Sequence, residues 1–315
     1  MRSHKVIVIS GPTASGKTDI SLELAERFGG EIVNFDSLLL YKEITIGTAK
    51  PTKDEQKRVN HHMVDVSSIA EPLNAADYAK QATPIIEELH RQGKTVYLVG
   101  GSGFYLQAVL KGMYDSPTTP KEIIERSDRL YDAEGITPFL ISLKENDFES
   151  FQRYHENDHY RIRRAVEHFW NTGTKLSLAR EKKDQENTQL GISQHNWDTL
   201  NIYLNLPREE HWPIIEQRTK KMLQSGLIEE VSDLLKRGFS GEEKPLSSIG
   251  YKETISFIKK EILTLEELEE QIVIHTRQLA KSQRTWFNRD HSKMEFHPLT
   301  QREELFKRVD EFIKK

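Results

Sequence analysis

The chain has 315 residues, 36% of them hydrophobic and 30% charged, and its 45 lysines and arginines stand against 49 aspartates and glutamates. This composition predicts a globular protein of about two structural units, or one domain with a large insertion, and the net charge of −4 excludes a uniformly basic nucleic-acid coat. The absence of cysteine excludes disulfides, thiolate metal sites and a thiol nucleophile. No apolar run approaches the ~18 residues of a membrane-spanning helix and no signal peptide is evident, so we expect a soluble, cytoplasmic protein.

The first hundred residues alternate between short β-rich runs and helical patterns. This alternation is typical of an α/β fold, in which parallel strands are joined by right-handed crossovers. Ligands of such sheets bind beyond the carboxyl ends of the strands, so the loops after Ser10, Phe35 and Val99 should share one crevice. The predicted strands are Lys5–Ser10, Glu31–Phe35 and Thr95–Val99, and the predicted helices are Lys17–Phe28 and Ala75–Arg91.

The pattern changes after Gly112, where residues 117–190 carry helical patterns and many charges but no convincing strand. A β-like alternation returns at Asn201–Leu206. We therefore predict a core built from residues 1–112 and 201–315, interrupted by a helical insertion domain at residues 113–200. The core continuation is mostly helical, with helices predicted at about His211–Gln224, Ile228–Arg237, Tyr251–Lys259, Leu265–Arg289 and Glu303–Lys314.

Residues 11–18 match the phosphate-binding pattern GxxxxGK[ST], placed between a predicted strand and a predicted helix. The helix start adds partial positive charge to the backbone amides of the loop, Lys17 adds a full charge, and the Thr18 hydroxyl can bind Mg²⁺. The predicted fold is thus an α/β P-loop core, a parallel sheet with helices on both faces, interrupted by the helical insertion. The pattern leaves open which nucleotide or diphosphate is bound. Its eight residues are Gly11, Pro12, Thr13, Ala14, Ser15, Gly16, Lys17 and Thr18.

The position of the nearest carboxylate argues against a typical ATPase or GTPase. Those enzymes place an aspartate after a later apolar strand to organise Mg²⁺. Here the candidate strand Thr95–Val99 runs into Gly100-Gly101-Ser102-Gly103 without a carboxylate, and the acid follows the second strand as Asp36. On position alone Asp36 is either a base facing a group on the P-loop or a turn-capping residue. A diphosphate cradle, one acid and few metal ligands indicate a place where a phosphate group leaves or is transferred.

Beyond the P-loop, the chain resembles the tRNA dimethylallyltransferases, also called tRNA isopentenyltransferases. The matching motifs follow the family's order over nearly the whole chain, and IGTAKP and TRQLAKSQRTWF are far more specific than the P-loop. The matches are GPTASGKT at 11–18, DS at 36–37, IGTAKP at 46–51, VGGSGFY at 99–105, RxxRA at 161–165, IGYKE at 249–253 and TRQLAKSQRTWF at 276–287.

The resemblance implies a prenyl transfer to tRNA. The P-loop would hold dimethylallyl diphosphate rather than ATP, and the prenyl group would pass to N6 of the adenine immediately 3′ of the anticodon. Lys17, Arg218 and a Mg²⁺ cofactor on Thr18 would stabilise the departing diphosphate, and Asp36 would remove the proton from the adenine amino group.

The resemblance also implies a set of tRNA contacts, with some departures from the family pattern. Leu39 and Tyr160 each replace a glutamine, Ser102 replaces a threonine, and Ile214 replaces a frequent arginine. A further tRNA contact aligns with either Ile124 or Arg126. The implied tRNA-binding residues are Asp36, Ser37, Leu38, Leu39, Ser102, Arg126, Tyr160, Arg161, Ile162, Arg163, Arg164, Arg277, Lys281 and Arg284.

Two acid-poor segments of this acidic chain favour an anionic polymer as the acceptor. Residues 150–183 contain eight lysines and arginines against four acids, and residues 271–289 contain four basic residues and no acid. Arg277, Lys281 and Arg284 share one helical face because their spacing is i, i+4, i+7. The resemblance implies that this polymer is the anticodon stem-loop of tRNA, and we expect the protein to be a monomer.

Three other functions stay open at this point. A P-loop kinase of a small molecule or nucleoside would form ADP, a nucleic-acid-binding protein would use ATP as a switch and tolerate loss of Asp36, and a related prenyltransferase would act on free AMP or ATP. His61, His62 and Asp65 also admit a metal site. Since neighbouring strand residues point to opposite faces, we expect a structural role for these histidines.

Overall fold

The structure, a computed structural model, describes residues 4–112, 117, 119–182 and 195–315. It divides into two compact units. Unit 1 consists of residues 1–109 and 195–315, and unit 2 consists of residues 110–194. Within the described residues, no helix is both long enough and apolar enough to cross a bilayer.

Unit 1 contains a six-stranded, all-parallel sheet in the order β3-β2-β4-β1-β5-β6. β1, β2 and β4 are buried along nearly their whole length, which is typical of parallel strands covered on both faces. The predicted α/β parallel sheet is thus confirmed. The strands are β1 (His4–Ser10), β2 (Glu31–Asn34), β3 (His61–His62), β4 (Val96–Gly100), β5 (Trp197–Leu204) and β6 (Met294–Phe296).

The main differences from the predicted strands are two additional short strands and the start of β5. β3 and β6 were not predicted, because two or three residues are too few to show a periodicity. β5 begins at Trp197 rather than Asn201 because Trp197 and Leu200 are buried in the core. The insertion predicted to end at residue 200 therefore ends before β5.

The helices of unit 1 surround this sheet. The side chain of Asn74 caps the helix Ala75–Arg91 by accepting hydrogen bonds from the amides of Ala76 and Asp77. The helices are α1 (Lys17–Phe28), α2 (Lys53–Arg58), α3 (Ala75–Arg91), α4 (Gly103–Lys111, crossing into unit 2), α10 (Arg208–Gln224), α11 (Leu227–Lys236), α12 (Tyr251–Ile258), α13 (Leu265–Phe287) and α14 (Arg302–Lys314).

In the described part of unit 2 every regular element is a helix, as the sequence predicts. Its core is built from α6 and α8 and includes Phe139, Leu143, Ile162 and Val166. The helices are α5 (Lys121–Glu134), α6 (Thr137–Asn146), α7 (Phe148–Arg153), α8 (His159–Thr172) and α9, which covers 176–182. Lys183 and Leu190, which the sequence interpretation included, lie outside the described residues.

Candidate active site

The P-loop connects the carboxyl end of β1 to the start of α1, as predicted. Gly16 immediately precedes the helix with φ +82°, a left-handed conformation that glycine adopts without the usual Cβ penalty. Ala14 also has a positive φ, +60°, which is unfavourable for a residue with a side chain. The surrounding structure must therefore hold the loop in this shape.

Lys17 bends back over the loop. Its Nζ donates to the carbonyl oxygens of Pro12 at 2.7 Å and Gly11 at 3.0 Å. Burial lowers the pKa of Lys17 to about 8; the charge of Asp36 opposes this shift and that of Arg218 adds to it. A cation that is poorly solvated and close to a second cation gains strongly from a bound anion.

Arg218 reaches the same loop from α10. Its Nη1 donates to the Thr13 hydroxyl at 3.1 Å, and burial lowers the pKa of its guanidinium while the Asp36 charge raises it. The structure therefore brings Lys17, Arg218 and Asp36 into one electrostatic neighbourhood, although 182 residues separate Asp36 from Arg218 in the sequence. Two cations and one carboxylate leave this part of the crevice net positive.

Two hydroxyls of the P-loop have no protein partner among the described residues. The Ser15 hydroxyl is buried without a hydrogen bond, and the side chain is 1% exposed. The Thr18 hydroxyl, at the second position of α1, also makes none. A buried unpaired hydroxyl costs free energy that a phosphate oxygen can recover, so the loop fits an oxyanion.

Asp36 follows β2 at the neighbouring strand end. Asn34 fixes its backbone, since Asn34 Oδ1 accepts from the Asp36 amide at 2.8 Å and Asn34 Nδ2 donates to the Asp36 carbonyl at 3.0 Å. Asp36 Oδ1 accepts from the Leu38 amide at 3.2 Å, so the carboxylate does cap a turn. Within the part of the chain that the structure describes, Asp36 Oδ2 makes no such bond, and it faces Gly101, where an added Cβ would lie 3.6 Å from it. One carboxylate oxygen thus keeps the turn and the other is available to a substrate.

Hydrogen bonds link the loop after β2 to the loop after β4. The Ser102 hydroxyl accepts from the Ser37 amide at 3.0 Å and lies 3.3 Å from the Ser37 hydroxyl. Leu38 and Leu39 are half-buried in the segment that follows. The predicted convergence of these loops in one crevice agrees with this geometry.

The IGTAKP segment is attached to α11 and α12 by polar contacts. The Glu230 carboxylate accepts hydrogen bonds from the amides of Thr45 and Ile46, both at 3.0 Å, and from the Tyr251 hydroxyl at 2.6 Å. Gly47 has no room for a side chain, because an added Cβ would overlap the Tyr251 ring. The motifs IGTAKP and IGYKE therefore meet in space.

The basic face of α13 is only partly available to a ligand. Arg277 pairs with Glu216 and lies 4.6 Å over the ring of Trp212, and Arg284 donates to the Leu206 carbonyl and to His211. Arg284 is predicted to contact tRNA, and in this structure its guanidinium is occupied by partners from α10 and from the segment after β5.

Lys281 differs from its two basic neighbours on α13. It is exposed and lines an open groove of about 360 Å³ together with Trp286 and Arg289. No acidic side chain within the described ranges forms an ion pair with it. It is the α13 residue best placed to meet an anion.

The predicted tRNA residues of unit 2 divide into exposed and structural groups. Tyr160 is 70% exposed, and Arg161 carries a surface ion pair with Asp158 at 2.8 Å. Arg126 is exposed above the Trp170 ring at 4.1 Å. These three side chains are accessible to a ligand.

Ile162, Arg163 and Arg164 have structural contacts. Ile162, a predicted tRNA contact, is 0% exposed, and its side chain packs in the unit 2 core. Arg163 pairs with Asp128, and Arg164 donates to Glu167 at 2.9 Å. The backbone periodicity of α8 explains this division, since successive residues face different directions.

The histidines of β3 do not form a metal site. His62 bonds to Glu31 at 2.6 Å, and His61 bonds to the Val59 carbonyl at 2.8 Å. Burial alone would raise the pKa of Glu31, but hydrogen bonds from Lys94, His62 and Asn60 lower it to about 2. No cluster of three potential metal ligands occurs among the described residues.

Comparison with known proteins shows to which family the chain belongs. A model described as IPP transferase matches residues 39–290. The chain belongs to this family. It is 41% identical over 286 residues to a tRNA dimethylallyltransferase 2 of Geotalea uraniireducens, covering 91% of this chain and 90% of the relative. It is 36% identical over 310 residues to a tRNA dimethylallyltransferase 2 of Syntrophus aciditrophicus, covering 98% and 97% of the two chains.

Solved structures of known enzymes support the same family. A tRNA isopentenylpyrophosphate transferase of Bacillus halodurans matches with a TM-score of 0.71 and 28% identity, over 99% of this chain and 97% of that one. A eukaryotic dimethylallyltransferase described as acting on tRNA matches with a TM-score of 0.80 and 26% identity, over 98% and 79%. The predicted family and enzyme class are confirmed, and this chain is a prenyltransferase.

The Trp286 ring packs closely against Gly103, and a substitution at Gly103 tests this contact. A Cβ at Gly103 would overlap the indole ring, which also contacts Phe104 edge-on at 6.5 Å. We expect Gly103→Ala to displace Trp286 and to lower the free energy of unfolding by about 1–3 kcal/mol, the usual cost of overpacking. Denaturant unfolding measures this loss. The double variant Gly103→Ala/Trp286→Leu should recover part of it, and an equal loss in both variants would contradict the assignment to this contact.

Proposed function

We propose that this enzyme transfers the dimethylallyl group from dimethylallyl diphosphate to N6 of the adenine immediately 3′ of the anticodon of tRNA, releasing diphosphate. The observation that carries this proposal is the convergence of Lys17, Arg218 and Asp36 on a P-loop in a member of the IPP transferase family. We further propose that it acts in the cytoplasm, where tRNA is found, and as a monomer.

The proposed chemistry makes one bond and breaks one bond at C1 of the dimethylallyl group, and it transfers one proton from N6. The N6 atom attacks C1 of the dimethylallyl group, and the electron pair of the C1–oxygen bond leaves with the diphosphate. Negative charge grows on that diphosphate, so Lys17, Arg218 and the P-loop amides stabilise the transition state more than the ground state. Asp36 Oδ2, the oxygen without a capping bond, accepts the proton lost from N6.

The residues of the P-loop fit a Mg²⁺ ion. Mg²⁺ is usually held by one or two protein oxygens together with substrate phosphates and water. The free Thr18 hydroxyl is such an oxygen. When bound, the ion would add positive charge next to the leaving diphosphate.

A kinase is disfavoured by the loop after β4. Gly100, Gly101 and Ser102 occupy the place where a metal-organising aspartate would stand, and these residues instead contact the Asp36 loop and Gln283. The direct test is to incubate the protein with unmodified tRNA, Mg²⁺ and labelled dimethylallyl diphosphate, in parallel with labelled ATP. Label in the tRNA supports the proposal, whereas consumption of ATP without prenylation would overturn it.

We propose that tRNA is bound by the exposed basic residues in each unit, considered separately. In unit 1 these are Lys281 and Arg289, which line one groove with Trp286, and Arg289 lies over the Trp286 ring. In unit 2 they are Arg126 and Arg161 beside Tyr160. The exposed Arg161–Asp158 ion pair contributes little to stability, so Arg161 can exchange its partner for a phosphate at small cost.

The salt dependence of tRNA binding tests this interface. Each lysine or arginine that contacts a phosphate releases counterions, so we expect Arg161→Gln and Lys281→Gln each to reduce the slope of log K against log salt by about 0.7–0.9. Filter binding across a salt series measures the slope. The matched control is Lys314→Gln, whose side chain is 73% exposed and already paired with Asp310 at the end of α14. A slope unchanged in both test variants would show that these cations face only solvent.

A further inference from the structure

All three polar groups of Thr13 are held by side chains from outside the P-loop. The Thr13 amide donates to Gln283 Oε1 at 2.7 Å, its hydroxyl accepts from Arg218 at 3.1 Å, and its carbonyl lies 2.8 Å from His211 Nε2. Gln283 Nε2 also donates to the Gly101 carbonyl at 3.0 Å, beside Asp36. Thr13 is therefore a fixed point between the phosphate loop and α10 and α13.

The contact with His211 has a defined direction. Arginine has donors and no acceptor, so Arg284 Nη2 must donate to His211 Nδ1, which lies 2.7 Å away. The Nδ1 atom then carries no proton, and the Nε2–H donates to the Thr13 carbonyl. Burial lowers the pKa of His211; the hydrogen bond to Thr13 opposes this, and the charges of Arg284 and Lys17 add to it. The ring is therefore neutral and in a single tautomer.

Arg284 is in turn fixed by the chain that follows β5. Its Nε donates to Asn205 Oδ1 at 3.2 Å and its Nη2 to the Leu206 carbonyl at 3.0 Å. His211 is 0% exposed, so water does not replace any of these partners at the ring. A continuous series of hydrogen bonds thus runs from the end of β5 through Arg284 and His211 to the phosphate loop.

The loop needs this support because it contains a strained residue. Ala14, next to Thr13, has a φ of +60°, and conformations of this kind persist only where the surroundings enforce them. The Thr13 contacts hold the residue before Ala14, and Ala14 itself packs against Ile215, Val273 and Ala280. Without the His211 contact, the Thr13 carbonyl would be left unpaired and the loop would be free to relax.

We propose that His211 and Arg284 are positioning residues that hold the P-loop in its diphosphate-binding shape through the Thr13 carbonyl. This inference rests on the proposed role of the P-loop as the diphosphate site. It assigns Arg284 to the organisation of the site instead of to tRNA. Their hydrogen bonds go to protein groups, so we expect both residues to act on the affinity for the diphosphate and to leave the chemical step intact.

The test compares His211→Leu with His211→Gln in the full-length protein. Leucine removes both hydrogen bonds, whereas the glutamine amide can both accept from Arg284 and donate to Thr13. We expect His211→Leu to weaken dimethylallyl diphosphate binding by about 5- to 50-fold, the worth of one lost bond and one unpaired carbonyl. The KM for dimethylallyl diphosphate should rise by a similar factor, while kcat at saturation and tRNA affinity stay near those of the wild type. His211→Gln should recover most of the binding.

The matched control is His90→Leu, which removes another buried histidine that bonds to a main-chain carbonyl, that of Lys5, at 3.2 Å. It should lower stability without changing dimethylallyl diphosphate affinity. An equal loss of affinity in both leucine variants would overturn the proposal, because general destabilisation would then explain it. So would unchanged affinity in His211→Leu.

A double-mutant cycle tests whether His211 and Arg284 act in series or independently. Because Arg284 acts through His211, Arg284→Leu should weaken binding in the wild-type background and have little further effect in His211→Leu; additive losses would overturn the series proposed here. Calorimetry with dimethylallyl diphosphate and Mg²⁺ measures each variant. If the wild type itself bound no dimethylallyl diphosphate, the proposed function would fail as well. Wild-type binding that Lys17→Ala weakens and His211→Leu does not would overturn this inference alone.

Discussion

Replacing Asp36 by asparagine should reduce kcat by roughly 10²–10⁴-fold, the usual contribution of general acid–base catalysis. The amide keeps the shape of the carboxylate and can still accept from the Leu38 amide, so the turn after β2 should persist. The amide cannot take the N6 proton. The loss should therefore appear in the chemical step, with the affinities for tRNA and dimethylallyl diphosphate changed much less.

Single-turnover measurements with saturating substrates test this expectation directly. Asp54→Asn is the matched control, because its side chain is 89% exposed at the start of α2 and should be dispensable. Retention of most activity by Asp36→Asn would mean that another group accepts the proton. A fall in tRNA affinity that accounts for the whole loss would assign Asp36 to binding instead.

Replacing Lys17 by alanine should nearly abolish turnover through loss of diphosphate binding. The Lys17 ammonium lies against the Gly11 and Pro12 carbonyls, over the loop that would hold the diphosphate. Charge-assisted hydrogen bonds of this kind are about twice as strong as neutral ones. Calorimetry should show weak or undetectable dimethylallyl diphosphate binding, whereas Lys57→Ala, at a side chain 76% exposed, should bind normally.

The pH dependence of dimethylallyl diphosphate binding provides a second test of the role of Lys17. Its pKa of about 8 in the free protein means that the side chain is charged below pH 8 and increasingly neutral above it. A bound diphosphate stabilises the charged form and raises that pKa, so binding above pH 8 must take up a proton. The Kd should therefore rise by up to about tenfold per pH unit above 8. Affinity that does not change between pH 8 and 9.5 would contradict the assignment.

The sheet core was predictable because its signals are local. The run Lys5–Ser10, the glycines of the P-loop and the start of α1 are adjacent in the chain, and such a strand–loop–helix has few alternative structures. Asp36 was predictable for a related reason, since carboxyl ends of parallel strands meet at one edge. β3 and β6 were not, because their pairing with longer strands depends on contacts far away in the sequence.

The sequence predicts which residues share a helical face better than it predicts whether that face is buried or exposed. The i, i+4, i+7 spacing of Arg277, Lys281 and Arg284 indicates one face of α13, and the structure agrees with that geometry. The spacing does not say what covers the face. Packing of α10 against α13 commits Arg284 to His211 and leaves Lys281 exposed. The burial of Ile162 was not predictable either, because a motif position does not distinguish an inward residue from an outward one.

By itself, the sequence determined the family, the phosphate loop and the acid beside it, since each depends on short motifs whose residues act together wherever they occur. Only the tertiary structure decided how that loop is held. The carbonyl of Thr13 and the ring of His211 are 198 residues apart, and no pattern in either segment indicates the other. Their contact exists because α10 and α13 pack beside the end of β1. Burial there excludes water, so each polar group can form hydrogen bonds only with other protein groups.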